Sequence, residues 1–98
     1  MEKELILSIL PPDLTGGTYI KKVFRNISLK NMAISDTTFD TCDFEIVNFE
    51  GATSTNTKFI NCYFENGSFA SIKFKNALYE DAVFKNCFVK KQIWRMHY

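Results

Sequence analysis

A large apolar residue recurs at every fifth position from Tyr19 to Trp94, and this spacing restricts the fold more than any other feature of the chain. The series reads Tyr19, Phe24, Leu29, Ile34, Phe39, Phe44, Phe49, Ser54, Phe59, Phe64, Phe69, Phe74, Tyr79, Phe84, Val89 and Trp94, and Ser54 alone breaks it. Apolar residues recur at a period of about 3.6 in an amphipathic α-helix and of 2 in a β-strand. A period of five fits neither element, so the sequence predicts a repeat architecture whose unit is a pentapeptide.

Two further positions of each pentapeptide follow a pattern. The residue two before the large one is small or apolar: Ile27, Met32, Thr37, Cys42, Val47, Ala52, Thr57, Cys62, Gly67, Ile72, Ala77, Ala82 and Cys87. The residue two after it is often asparagine, as at Asn26, Asn31, Asn56, Asn61, Asn66, Asn76 and Asn86. Asparagine tolerates the left-handed and turn conformations that bend a chain. We therefore predict that each pentapeptide is one short extended side followed by a corner, with two inward positions and three outward ones.

From Tyr19 to Val89 this pattern resembles the pentapeptide-repeat proteins. The resemblance implies an all-β fold, a right-handed quadrilateral β-helix with four pentapeptides per coil, in which residues twenty apart stack. The β-helix would span residues 19–91, between an N-terminal cap over 1–18 and a C-terminal cap over 92–98. The predicted structural core consists of Phe39, Phe44, Phe49, Phe59, Phe64, Phe69, Phe74, Tyr79 and Phe84.

The two terminal segments supply candidate caps. An uncovered end of a β-helix would expose aromatic core and strand edges, so both ends need covering. The apolar run from Leu5 to Leu10 ends at Pro11-Pro12, and we expect it to fold over the first coil as a strand or a short helix. The last coil would be covered by Ile93, Trp94, Met96 and Tyr98.

The stretch from Phe49 to Phe64 resembles something narrower, the luminal domain of the synaptic vesicle glycoprotein 2 family. Ser54 interrupts the phenylalanine series as a serine does in that domain, and a second Asn-Cys pair follows at Asn86-Cys87. The resemblance implies a location in the vesicle lumen or outside the cell. It also implies a partner-binding open edge on the last coil, the edge that botulinum neurotoxin type A binds in that family. The candidate edge residues are Phe84, Lys85, Asn86, Phe88, Val89, Lys90 and Lys91.

Two triplets match the N-glycosylation signal. They begin at Asn26 and Asn66, each followed two residues later by serine. Glycosylation requires a secretory route, and such triplets also arise by chance in a repeat rich in Asn and Ser. Both sites are therefore conditional on a luminal or extracellular location.

Charge and hydropathy exclude several classes of function. Twelve Lys and Arg against eleven Asp and Glu give a formal net charge of +1, which favours neither a nucleic-acid-binding surface nor an acidic mimic of DNA. The uninterrupted apolar runs are a few residues long, far below the roughly eighteen needed for a transmembrane helix. We expect no nucleic-acid partner and no membrane span in this sequence, and a cytoplasmic location if the luminal resemblance does not hold.

The residues that could support catalysis or metal binding are few. Cys42, Cys62 and Cys87 all occupy the small inward position, where a free thiol behaves as a small hydrophobe. Cys42 and Cys62 would stack one coil apart, within the range of a disulfide, but buried free thiols are the favoured interpretation. The single histidine is His97, and no Gly-rich phosphate loop or nucleophile elbow occurs. We predict no metal, no cofactor and no enzymatic activity.

The remaining interpretation is a non-catalytic module that binds a protein partner through its faces and its open C-terminal strand edge. Two alternatives stay open at this stage. One is a free-standing bacterial-type pentapeptide-repeat protein that binds a topoisomerase, although such proteins are longer and strongly acidic. The other is an engineered repeat binder.

Overall fold

The computed structural model of the chain describes residues 4–6, 14–88 and 95–97. These residues form twelve short β-strands. In chain order the strands are β1 (Glu4–Ile6), β2 (Thr18–Ile20), β3 (Lys22–Arg25), β4 (Thr38–Asp40), β5 (Asp43–Glu45), β6 (Thr53–Thr55), β7 (Lys58–Ile60), β8 (Tyr63–Glu65), β9 (Lys73–Lys75), β10 (Leu78–Glu80), β11 (Val83–Lys85) and β12 (Arg95–His97). No helix among the described residues is long and apolar enough to cross a membrane.

The strands stack into a β-helix with four sides. Side A is the sheet β1-β3-β5-β8-β11, and side B is the sheet β2-β4-β7-β10-β12. Side C is held by single bridges that join Ser28, Asn48, Ser68 and Phe88 in turn. Side D contains β6 and β9, with a further bridge between Ala33 and Thr53. The fold class predicted from the sequence, a quadrilateral β-helix, is confirmed.

The register of the parallel pairs sets the length of one coil. Phe24 lies opposite Phe44, and Phe39 lies opposite Phe59. On side D, Ser54 lies opposite Phe74. Each pair is twenty residues apart, so one coil contains four pentapeptides, as the family resemblance implied.

A corner with positive φ follows every side. From Gly16 to Asn86 every fifth residue has a φ between 52° and 78°. This left-handed region suits glycine and asparagine, and all seven asparagines at the second position after the large core residue occupy it. The predicted role of asparagine as the corner residue is therefore confirmed. Ile46 has a φ of 55°, although its β-branched side chain is poorly suited to this region.

Columns of stacked aromatic rings fill the interior. In one column the ring centroids of Phe24, Phe44, Phe64 and Phe84 are separated by 5.0, 4.9 and 4.6 Å, with the planes 5–7° apart. Neighbouring columns meet edge to face, as where Phe39 contacts Phe44 at 5.1 Å and 77°. Most of the predicted core side chains are fully buried, whereas Phe74 and Phe84, at one end of their columns, are only partly buried. The hydrophobic side chains thus pack ring on ring along the coil axis.

Where Ser54 interrupts the aromatic series, it forms a buried polar pair with Thr57. Its side chain is 3% exposed, and its hydroxyl bonds to the hydroxyl of Thr57. Thr57 in turn donates to the carbonyl oxygen of Ile34. Above the serine, the ring of Phe74 lies near that of Phe59, with centroids 6.5 Å apart and planes 18° apart. The buried hydroxyls therefore remain hydrogen-bonded where the ladder is interrupted.

The described terminal strands extend two adjacent sides, at opposite ends of the β-helix. β1 pairs in parallel with β3, which places Leu5 opposite Val23. β12 pairs in parallel with β10 and places Met96 opposite Tyr79, an offset of seventeen residues instead of twenty. The five-residue period therefore does not extend to β12. Residues 1–3 and 7–13 of the predicted N-terminal cap, and Ile93, Trp94 and Tyr98 of the C-terminal one, lie outside the described residues.

Candidate protein-binding surfaces

The small inward position carries hydrogen-bond donors that hold adjacent coils together. Each of these side chains donates to the carbonyl oxygen of the residue twenty-three positions earlier, in the preceding coil. The pairs with ordinary distances are Thr37 to Leu14 at 2.6 Å, Cys42 to Tyr19 at 3.3 Å, Cys62 to Phe39 at 3.2 Å and Cys87 to Phe64 at 3.5 Å. The role of these residues is therefore structural.

The three cysteines are free thiols, and two of them are buried. A hydrogen bond with the Cys42 thiol and burial both raise the pKa of Cys62. A thiol with a raised pKa is a weak nucleophile and a poor metal ligand, because both roles require the thiolate. Within the part of the chain that the structure describes, no cluster of three or more His, Cys, Asp or Glu side chains could hold a metal ion.

The last described coil contains part of the predicted binding edge. Phe84 and Lys85 belong to β11, the last strand of side A, and Asn86 forms the corner that follows, with a φ of 52°. Phe88 comes next on side C, and its side chain is 56% exposed. The remaining predicted edge residues, Val89, Lys90 and Lys91, lie outside the described residues.

Val83 belongs to the same surface, although the sequence analysis did not single it out. It occupies an outward position of β11 and is 55% exposed. The signal was present in the repeat, because an apolar residue directly before the large core residue faces outward. We call Val83, Lys85, Asn86 and Phe88 the C-terminal coil surface.

The two glycosylation candidates occupy equivalent corners. Asn26 and Asn66 have φ values of 54° and 56°. Both residues are exposed, on the corner between sides A and C. Their exposure is compatible with modification, and the glycans themselves stay a prediction.

Several surface charges form ion pairs between neighbouring coils. Arg25 Nε lies 2.9 Å from Glu45 Oε1, and Lys85 Nζ lies 3.9 Å from Glu65 Oε2, both on side A. On side C, Lys30 Nζ lies 3.4 Å from Glu50 Oε1. The carboxylates on these two sides are thus largely matched by cations one coil away.

The geometry defines the class of this protein as a β-solenoid built from pentapeptide repeats. No family model matches the chain. No curated protein matches it. Among solved structures, the chain is similar to trypsin-treated QnrB1, a plasmid-mediated fluoroquinolone resistance protein, with 14% sequence identity and a TM-score of 0.44. The match covers 84% of this chain and 58% of the QnrB1 chain, so it spans less than two thirds of that protein. The narrower resemblance to the synaptic vesicle family receives no support from these comparisons.

Proposed function

We propose that this protein is a non-catalytic scaffold that binds a protein partner through its C-terminal coil surface. The observation that carries the proposal is the pair Val83 and Phe88, two large apolar side chains that are each more than half exposed on one coil. Single exposed hydrophobic residues are common, but two on the last described coil, one in β11 and one on the adjoining side C, mark a candidate interaction site.

The position of β11 supports pairing with a partner strand. The interior strands of side A each have a parallel neighbour on both sides, and β11 is the last strand of that sheet among the described residues. Side B, in contrast, is continued by β12. An extended partner segment could lengthen side A through backbone hydrogen bonds, while Val83 and Phe88 contact its side chains and confer specificity.

The packing of the interior supports a role without catalysis. Stacked rings with centroids 4.6–5.4 Å apart occupy the space inside the coils. A ligand would therefore meet the outer faces and the ends of the solenoid. The outward residues there are held in a regular lattice, with neighbouring coils about 4.8 Å apart. Such a rigid lattice is better suited to presenting a surface than to enclosing a substrate.

Two hypotheses about the partner remain. A luminal role, as in the synaptic vesicle family, would place the protein on the secretory route and would be supported by glycans at Asn26 and Asn66. A topoisomerase partner is the other hypothesis. The ion-paired carboxylates Glu45, Glu50 and Glu65 make mimicry of the DNA backbone a poor basis for such binding.

The experiment is a selection that does not require the partner to be known. Short random peptides displayed on phage would be selected against the folded protein, and the dissociation constants of enriched peptides would be measured by fluorescence anisotropy. The double variant Val83→Ser/Phe88→Ser should weaken binding by about tenfold or more, because truncating a central apolar contact commonly costs about 1–2 kcal/mol.

Ile20→Ser is the matched control. Ile20 lies on β2, the first strand of side B, at the other end of the β-helix from Val83. It is a β-branched apolar residue that is 53% exposed, so it resembles Val83 in chemistry and exposure. Its replacement should change the dissociation constant less than about twofold. Equal losses in both variants, or no enriched peptide at all, would argue against the C-terminal coil surface.

A further inference from the structure

We propose that a second surface, on the corner between sides D and B, binds an extended acidic segment of a protein. This surface consists of Lys58, Lys73 and Lys75 with the corner residues Asn56 and Asn76, and we call it the lysine corner. It lies apart from the C-terminal coil surface, so the inference goes beyond the proposed function and does not depend on it.

The repeat brings the three lysines to one corner. Lys73 and Lys75 occupy the two outward positions of β9 on side D. Lys58 begins β7 on side B, directly after the corner at Asn56. Asn76 forms the same corner one coil later, after Lys75. All three lysines and both asparagines are exposed.

The lysine corner differs from the other charged sides in having no matching carboxylates. Lys58 lies between Thr38 and Leu78 in its column, which therefore places no acid beside it. Lys73 and Lys75 lie opposite Thr53 and Thr55.

Within the described ranges, none of the three ammonium groups forms an ion pair, whereas the cations of Arg25, Lys30 and Lys85 do. Asp36 occupies the same corner one coil before Asn56, and it is not in register with any of these lysines. The corner therefore carries a local excess of positive charge on a protein whose net charge is only +1.

The spacing of the charges fits an extended chain. Alternate residues of a strand are about 6.6–7 Å apart, so the Cα atoms of Lys73 and Lys75 have the separation of alternate side chains in an extended peptide. Acidic residues at alternate positions of such a peptide could each meet one ammonium group, with Lys58 placed to contact the segment across the corner. The exposed hydroxyls of Thr53 and Thr55 would supply hydrogen bonds beside the charges.

The neighbouring residues favour a protein segment over a nucleic acid. Proteins that bind single-stranded nucleic acid combine cations with exposed aromatic rings on which bases stack. Phe74, the aromatic residue of β9, packs against the core between its two lysine neighbours. The other described outward residues of side D are Thr15, Ala33, Ser35, Thr53 and Thr55, none of which has an aromatic ring.

The test uses a fluorescein-labelled peptide of alternating glutamate and serine, titrated with the protein at low ionic strength and followed by anisotropy. The variant Lys73→Gln/Lys75→Gln should weaken binding by about tenfold. The control Arg25→Gln/Lys30→Gln removes the same two charges from sides A and C, and it should change binding less than about twofold. Adding salt should weaken the binding of the unaltered protein more steeply than that of the lysine variant.

Three results would overturn the proposal. Equal losses in the two charge variants would show that binding depends only on net charge. If the unaltered protein did not bind the peptide, the lysine corner would not be a binding surface for acidic segments. The protein could also bind an oligothymidine more tightly than the acidic peptide and lose that binding in the lysine variant. That result would show that the lysine corner binds nucleic acid instead. Val83→Ser/Phe88→Ser should bind the acidic peptide normally, so a failure of this inference is distinguishable from a failure of the proposed function.

Discussion

Replacing Phe64 with alanine should destabilise the β-helix substantially more than the same replacement at Phe84. Phe64 is 1% exposed and stacks between Phe44 at 4.9 Å and Phe84 at 4.6 Å. Phe84 lies in the same column, one coil later, and is only partly buried. The two substitutions remove the same ring from the interior and from the end of one ladder, so they measure what stacking between coils contributes.

The magnitude follows from the contacts of each ring. Truncation of a buried phenylalanine to alanine typically costs about 3–5 kcal/mol. Phe64 also meets the rings of Phe59 at 5.3 Å and Phe69 at 5.5 Å, and such aromatic pairs add about 0.5–1.5 kcal/mol each. The hydrogen-bonded walls limit collapse into the cavity, so we expect a loss of about 4–5 kcal/mol. For the partly exposed Phe84 we expect about 2–3 kcal/mol.

Urea unfolding followed by circular dichroism measures the difference. With a slope of about 2 kcal/mol per molar urea, Phe64→Ala should lower the unfolding midpoint by about 2 M and Phe84→Ala by about 1 M. Phe64→Leu should recover about half of the loss, because it keeps apolar volume but not ring stacking. An equal or larger loss for Phe84→Ala would refute the argument that interior ladder positions dominate the stability.

Three further predictions concern two corner residues and the buried hydroxyl group of Tyr79. Ile46→Asn should raise the free energy of unfolding by about 1 kcal/mol, because Ile46 is exposed with a φ of 55°, and a lower melting temperature would contradict this. Gly51→Ala should cost about 1–3 kcal/mol in urea unfolding, because φ is +73° and a Cβ would collide with the Asn31 amide oxygen; an unchanged midpoint would count against that collision. Burial raises the pKa of Tyr79. The folded protein keeps this proton where the unfolded chain releases it, so the free energy of unfolding should fall as the pH rises above about 10; rising stability there would disprove the assignment.

The candidate surfaces were only partly accessible from the sequence. The edge predicted around Phe84 and Phe88 was inferred from a resemblance, and the structure places Phe88 outward beside the last strand of side A. Val83 was overlooked because a single apolar residue at an outward position is unremarkable until its exposure is known. The lysine corner was not predicted, because Lys58 and Lys75 are seventeen residues apart and meet only when the coil length is known.

The period of five and its corners were determined by the sequence itself. A large residue at every fifth position implies that each side of the coil has the same length. Asparagine at the bend adopts the left-handed conformation, which steric clashes disfavour for most other residues. These are local effects, which act within one pentapeptide and can be recognised without a fold.

The tertiary structure determined which residues of different coils are neighbours. Stacking and hydrogen bonding between coils set an offset of twenty residues through most of the chain, eighteen at β1 and seventeen at β12. No local sequence pattern predicts these changes at the two ends. The same offset pairs Arg25 with Glu45 and leaves Lys73 opposite a threonine. Contacts between residues so far apart in sequence depend on how many sides close one coil, and that number is a property of the assembled β-helix rather than of any single repeat.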